Sequence, residues 1–110
     1  MTFEPYDVVV VPFPFTDRLA SRRRPALIVS SESFHAEHGQ SILAMITSTR
    51  AEWPSDVSIG RWQEAGLHVP CRIRFKLFTL DNSLILRRVG RLSERDRGAT
   101  GEALTRILAS

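Results

Sequence analysis

Arg72, Arg74 and Lys76 alternate with apolar residues across positions 71–78. The runs Arg22-Arg23-Arg24 and Arg87-Arg88, with Arg91 close behind, add cations on either side in the sequence. In a strand, residues two apart share a face, so the three heads project together at intervals of roughly 6.5–7 Å. Like charges lined up this way repel unless an anion lies over them, and a guanidinium grips phosphate oxygens in pairs. Of the 15 basic residues only Lys76 is a lysine. A GC-rich genome produces the same bias, and a solvated sheet face the same alternation, its aliphatic stems lying over apolar neighbours. Convergence of three clusters is what favours a groove for a phosphate-rich strand.

Thr47, Ser48 and Thr49 close an apolar run, where hydroxyls either donate to phosphate oxygens or satisfy turn backbone. Asp81 can orient an arginine or take a proton, although Asp81-Asn82 also has the composition of a turn. His35, His38 and His68 are of the type that ordinarily titrates near neutrality. His35 and His38 stand three apart without a third ligand, so neither a metal site nor any other cofactor is read here. This sparse set suits RNA cleavage, because the 2′-hydroxyl of RNA is its own nucleophile. A catalyst then needs a proton acceptor, a proton donor for the leaving 5′-oxygen and cations for the crowded phosphorane.

The elements that must hold these groups are short. Residues 6–13 form a β-branched run closed by Pro12 and Pro14, and 25–30 a second strand after a polar loop over 16–24. Residues 41–47, 56–59, 71–78 and 84–89 read as four more strands, with helical turns over 32–36 and over 62–65, the latter ended by Gly66. Ser93 with Asp96 is a capping signature, and Ala99, Ala103, Leu104, Ile107 and Leu108 recur at helical spacing, giving a helix over about 94–108. Many short strands and one terminal helix imply an all-β barrel with a helical appendage.

At 110 residues and 43% hydrophobic, one domain with an unaided core is expected. No run approaches the roughly 20 apolar residues of a membrane span. The N-terminus, with Glu4 and Asp7, lacks the basic start of a signal peptide, so a cytoplasmic protein with no membrane partner is expected. Cys71 stands alone, excluding an internal disulfide, and reads as a small hydrophobe.

The ordered phrases Asp7-Val-Val-Val-Val-Pro-Phe-Pro-Phe-Thr16, Arg24-Pro-Ala-Leu-Ile-Val-Ser30, Ile46-Thr-Ser48, Lys76-Leu-Phe-Thr-Leu-Asp81 and Leu86-Arg-Arg-Val-Gly-Arg-Leu92 span nearly the whole chain. Together they resemble the PemK/MazF family of toxin–antitoxin toxins. That resemblance implies a compact SH3-like barrel of the CcdB/MazF type, a homodimer, and metal-independent endoribonuclease activity on single-stranded RNA such as messenger RNA. It also implies a cognate antitoxin whose tail occupies the RNA groove, and operator DNA bound largely through that antitoxin. The family's strand arginine falls on Arg74, with Arg72 as the register alternative, and its hydroxyl pair on Thr47 and Ser48. Arg22, Arg23, Arg24, Arg72, Lys76 and Arg87 are the implied RNA contacts.

Two features differ from the family pattern. The first loop offers only Asp17 where members often carry His or Glu, and Phe75 and Lys76 follow Arg74 where many have an acid. Asp17, Asp81 and Lys76 are the proton-transfer candidates. The same barrel also serves gyrase-poisoning toxins, which cleave nothing, and a non-cleaving relative would only bind nucleic acid or antitoxin.

Overall fold

Strand β1 (Asp7–Pro12) is apolar almost throughout because both its faces are covered, with Val8, Val9 and Val11 all buried. The computed structural model, which describes residues 2–12 and 23–109, pairs it with β2 (Arg23–Ile28) and β6 (Arg87–Arg91). With β3 (Gln40–Thr47), β4 (Val57–Ser58) and β5 (Arg72–Asp81) these form one sheet in the order β4-β5-β3-β2-β1-β6, every pairing antiparallel. The sheet curls into a half-barrel. Two bulges bend it: Val8-Val9 face Gly90 and Arg88 with Val89 left over, and Leu43 and Met45 face Phe78 and Arg74 with three residues of β5 between. Helix α1 (Glu32–His38) links β2 to β3, and α2 (Glu94–Ile107) follows β6. The expected mainly-β architecture with a C-terminal helix is what forms.

Alternation divides the core between the two faces. Val8, Leu27, Ala44, Ile46 and Ile73 pack with Ile59, Ala65, Leu67 and Leu92 on one. Val9, Val11, Ala26, Ile28, Leu43 and Phe78 pack with Phe3 and Ile85 on the other.

Several boundaries differ from expectation. The second strand begins at Arg23, because Arg23 and Arg24 pair with Pro12 and Val11. Pro25 stands opposite Val10, just before the ladder with β3 starts at Ala26, where its missing N–H costs nothing. The fifth strand runs on to Asp81, and a 3₁₀ turn over Asn82–Leu84 occupies what reads as the start of a strand. The sixth therefore spans Arg87–Arg91, the stretch that pairs with β1.

Ser93 caps α2 as its sequence signals, accepting from the Asp96 amide at 3.2 Å. The buried Asp96 carboxylate accepts from the amides of Gly60 and Arg61 at 3.1 and 3.0 Å. The first turn of the helix is thus pinned to the chain leaving β4.

That same segment touches β6 at backbone distance. A Cβ built on Gly66 would lie 2.2 Å from the Val89 carbonyl oxygen, and one on Gly90 would lie 2.2 Å from that of Ala65. Gly66 also has φ +85°, a conformation glycine adopts at little cost. The turn it closes, where Leu67 N–H reaches Trp62 O at 3.0 Å, is therefore held against the Val89 bulge.

Candidate functional site

Arg24, Thr47 and Arg72 lie in one transverse row on three adjacent strands. Arg24 is opposite Val11 and so on the face of that buried valine, and Thr47 is opposite Arg72. Thr47 lies two residues from Met45, as Arg24 does from Ala26, and Met45 and Ala26 are partners. At the usual strand separation the row spans roughly 10 Å. The Thr47 hydroxyl, on a buried residue, accepts from the Thr49 amide at 3.2 Å, so its proton points elsewhere. Ser48 is exposed and faces the other way.

The wet face expected of β5 is corrected at Arg74, which is only 6% exposed. Its Nε donates to Asp56 Oδ1 at 3.2 Å and its Nη2 to Asp56 Oδ2 at 2.8 Å and to the Ala51 carbonyl at 2.7 Å. Arg72 lies with Nε 3.8 Å from Asp56 Oδ2 and donates to the Thr49 carbonyl. Trp53 lies against Arg74 and Lys76, its ring centroid 4.8 Å from the Arg74 guanidinium carbon and 5.4 Å from Lys76 Nζ, within cation–π range. Burial alone would raise the pKa of Asp56. Hydrogen bonds from Arg74 and the Trp53 amide, with the charges of Arg74 and Arg72, outweigh it and hold the carboxyl below its usual range. The hydrogen bonds that Arg74 donates to Asp56 likewise raise its own pKa. The carboxylate partner of Arg74 is thus Asp56, the residue before β4, and not a residue that follows it on β5. Arg74 is spent on anchoring residues 49–56, whereas Lys76 is exposed.

A cleft of about 610 Å³ opens on the other face of the sheet, the face of Val8 and Ile46, and Arg24 lines it as well as ending the row. Its apolar wall comprises Val10, Pro25, Ile46, Leu67, Cys71 and Val89, and Arg23, Arg24, Ser48, His68 and Arg87 line it as well. Cys71 is half-buried, and that burial pushes its thiol up against the lesser influence of Arg72. The third arginine cluster therefore divides. Arg87 lines the cleft, while Arg88 lies 3.7 Å from buried Asp7 and Arg91 3.1 Å from Glu4.

Asp81 stands at the opposite end of β5, across from Gln40. It accepts from the Ser83 amide at 2.9 Å and from Gln40 Nε2 at 3.1 Å, and the bonds to Ser83 and Gln40 hold its carboxyl down. The turn role, not orientation of a site arginine, is the one the fold gives it. His35 is buried, with Nδ1 2.9 Å from the Phe3 carbonyl and Nε2 2.5 Å from Ser30 Oγ, which also accepts from the Ile42 amide at 2.9 Å. Asp17 and Arg22 lie outside the described residues. Among the described residues no group of three or more His, Cys, Asp or Glu is placed to hold a metal ion, and no helix is long and apolar enough to cross a membrane.

The sequence matches, over residues 4–108, the family described as PemK-like, MazF-like toxin of type II toxin-antitoxin system. The chain belongs to the PemK/MazF toxin family. Solved structures of the same fold include MazF from Deinococcus radiodurans, with 18% identity, 97% of this chain and 96% of that one covered, and a TM-score of 0.75. An endoribonuclease in complex with its cognate antitoxin, from a mycobacterial species, has 16% identity, coverage of 94% and 92%, and a TM-score of 0.75. Toxin MazF-mt6 of Mycobacterium tuberculosis has 20% identity, coverage of 91% and 93%, and a TM-score of 0.71. No relative is found among curated protein sequences.

The roles of Asp56, read only as the start of a strand over 56–59, and of Trp53 escape the sequence reading. Nothing local ties an acid in a turn to a strand that begins 16 residues later. The contact follows only from the antiparallel β4–β5 pairing, Ser58 opposite Arg72.

Proposed function

We propose that this PemK/MazF toxin is a metal-independent endoribonuclease that cuts single-stranded RNA, messenger RNA in particular, in the cytoplasm and so arrests translation and growth. The observation that carries this reading is the row Arg24, Thr47, Arg72, joined through Arg24 to a cleft lined by further arginines and Ser48. A phosphodiester laid along the row meets two guanidinium groups flanking a hydroxyl. As the 2′-oxygen attacks phosphorus, charge grows on the non-bridging oxygens. Arg24 and Arg72 stabilise it, while Thr47 donates to one of those oxygens and holds the phosphate in line, and Ser48, on the cleft side, donates to the part of the RNA lying there. The P–O5′ bond breaks, leaving a 2′,3′-cyclic phosphate and a 5′-hydroxyl. Arg23, Arg87 and Lys76 extend the cationic track for flanking phosphates, and Arg22, next to Arg23 in the sequence, is a further candidate RNA contact. Arg74 acts as a positioning residue, through Asp56 and the 49–53 segment.

By family kinship the working form is a homodimer held inactive by a cognate antitoxin, with operator DNA bound only by the pair together. The test is cleavage of single-stranded RNA in excess chelator by wild type, Arg24→Ala and Thr47→Ala. Expected are cuts by the wild type and at least a hundredfold slower cutting by either variant, with circular dichroism unchanged. Intact RNA with the wild type overturns the reading.

A further inference from the structure

The row and cleft supply cations and hydroxyls, but a cleavage step also needs somewhere for the 2′-hydroxyl proton to go. Among the described residues the obvious acceptors are elsewhere or committed. Asp56 is gripped by two arginines. Asp81 lies at the Gln40 end of β3, seven residues from Thr47, which is roughly 20 Å or more along a strand. His35 has both ring nitrogens engaged inside the fold. His38 is exposed on α1, against Phe34 and next to that same distant strand end.

His68 is different. It is exposed and lines the cleft together with Arg24 and Ser48. Its position is fixed: Leu67, immediately before it, is buried in the core, and the Gly66–Val89 and Gly90–Ala65 contacts lock the turn to β6.

We infer that the His68 imidazole is the general base of the reaction, an assignment that rests on the endoribonuclease reading above. The cleft already carries the charge of Arg23, Arg24 and Arg87, so a neutral acceptor adds a missing function where another cation would duplicate one. The unprotonated ring nitrogen takes the 2′-hydroxyl proton as the 2′-oxygen bonds to phosphorus. The P–O5′ bond breaks with its electron pair on the 5′-oxygen, which takes a proton from water. The resulting hydroxide then recovers the proton held by His68, so the enzyme ends unchanged. His68 thereby performs what the family's more usual first-loop His or Glu is placed to do.

The test uses the full-length protein, a single-stranded RNA oligonucleotide, excess chelator and single-turnover rates from pH 5 to 9. His68→Ala and His68→Gln should each lose roughly 10²- to 10⁴-fold in rate with RNA affinity within about twofold. The wild-type rate should decline on the acid side and His68→Gln should lose that decline, and free imidazole should restore part of the His68→Ala rate. His38→Gln should match the wild type. A substrate with a 5′-thio leaving group, which needs no proton to depart, should leave the His68 variants as impaired as before. Rescue by that substrate makes His68 the acid and overturns the assignment, as does an active wild type whose His68 variants cut within threefold of it. A wild type that cuts nothing overturns the nuclease reading, and this assignment with it.

Discussion

Asp56 holds Arg74 with both carboxylate oxygens, at 3.2 and 2.8 Å, although the two residues sit on different elements and are 18 positions apart. Through this pair the short β4 and the 49–56 segment are tied to β5, and the strand arginine that looks most available for substrate is taken out of solvent. Arg72, its neighbour on the same face, keeps a side chain 21% exposed and stands opposite Thr47. On the proposed reaction, substrate charge stabilisation then falls to Arg72 and Arg24.

Acid sensitivity should follow from Asp56. Its folded pKa lies below the ordinary aspartate value of about 3.9. It therefore contributes stability that is fully present above that value and lost as pH falls through the lower folded value. Denaturant midpoints measured from pH 6 down to pH 2 should fall more steeply below pH 4 for wild type than for Asp56→Asn, which starts lower at neutral pH. Parallel curves would show that the pair carries no pH-dependent stability.

Arg74 and Arg72 should separate by kind of defect. Arg74→Ala exposes Asp56 without its partner and frees the Ala51 carbonyl, so thermal unfolding should shift to lower temperature along with any loss of cleavage. Arg72→Ala should cut the cleavage rate at least tenfold with a smaller thermal shift. A fully stable, inactive Arg74→Ala would instead return Arg74 to the substrate.

Glycine substitutions should rank by what a Cβ would meet. Gly66→Ala and Gly90→Ala drive a methyl into backbone 2.2 Å away and should each cost about 1–3 kcal/mol or more in urea unfolding. Gly98→Ala, in the middle of α2 with nothing within 4 Å, should stabilise by about 0.5–1 kcal/mol and leave cleavage unchanged.

Ser30 and His35 make a closed network that fixes a tautomer. The Phe3 carbonyl can only accept, so Nδ1 carries the proton, Nε2 accepts from Ser30, and Ser30 accepts from the Ile42 amide. Ser30→Ala leaves two buried groups unpaired and should cost about 1–3 kcal/mol. Nitrogen NMR should show a slowly exchanging Nδ1 proton that the variant exchanges faster.

Much of this was legible in residue types. The double-faced valine run of β1, the Ser93 cap, the Gly66 stop and the Arg24-Pro25 and Thr47-Ser48 phrases report local or nearest-strand physics, and their elements form there with some strand ends shifted. What strand alternation misses is decided by distant chain. Residues 72, 74 and 76 alternate as on a solvated face, but a segment from upstream folds over Arg74. The sequence shows three arginine clusters converging, whereas register sends Arg88 and Arg91 to Asp7 and Glu4. His68 stood out only as one of three titratable imidazoles, and a glycine-to-backbone contact between the 61–66 turn and β6 brings it to the cleft.

The ends of the RNA fragments test the central claim most directly. Purified protein incubated with a single-stranded RNA in excess chelator should yield paired 5′-hydroxyl and 2′,3′-cyclic phosphate ends at defined sites, and Arg24→Ala should yield neither. Fragments bearing 5′-phosphates, or equal cutting by Arg24→Ala, would contradict it.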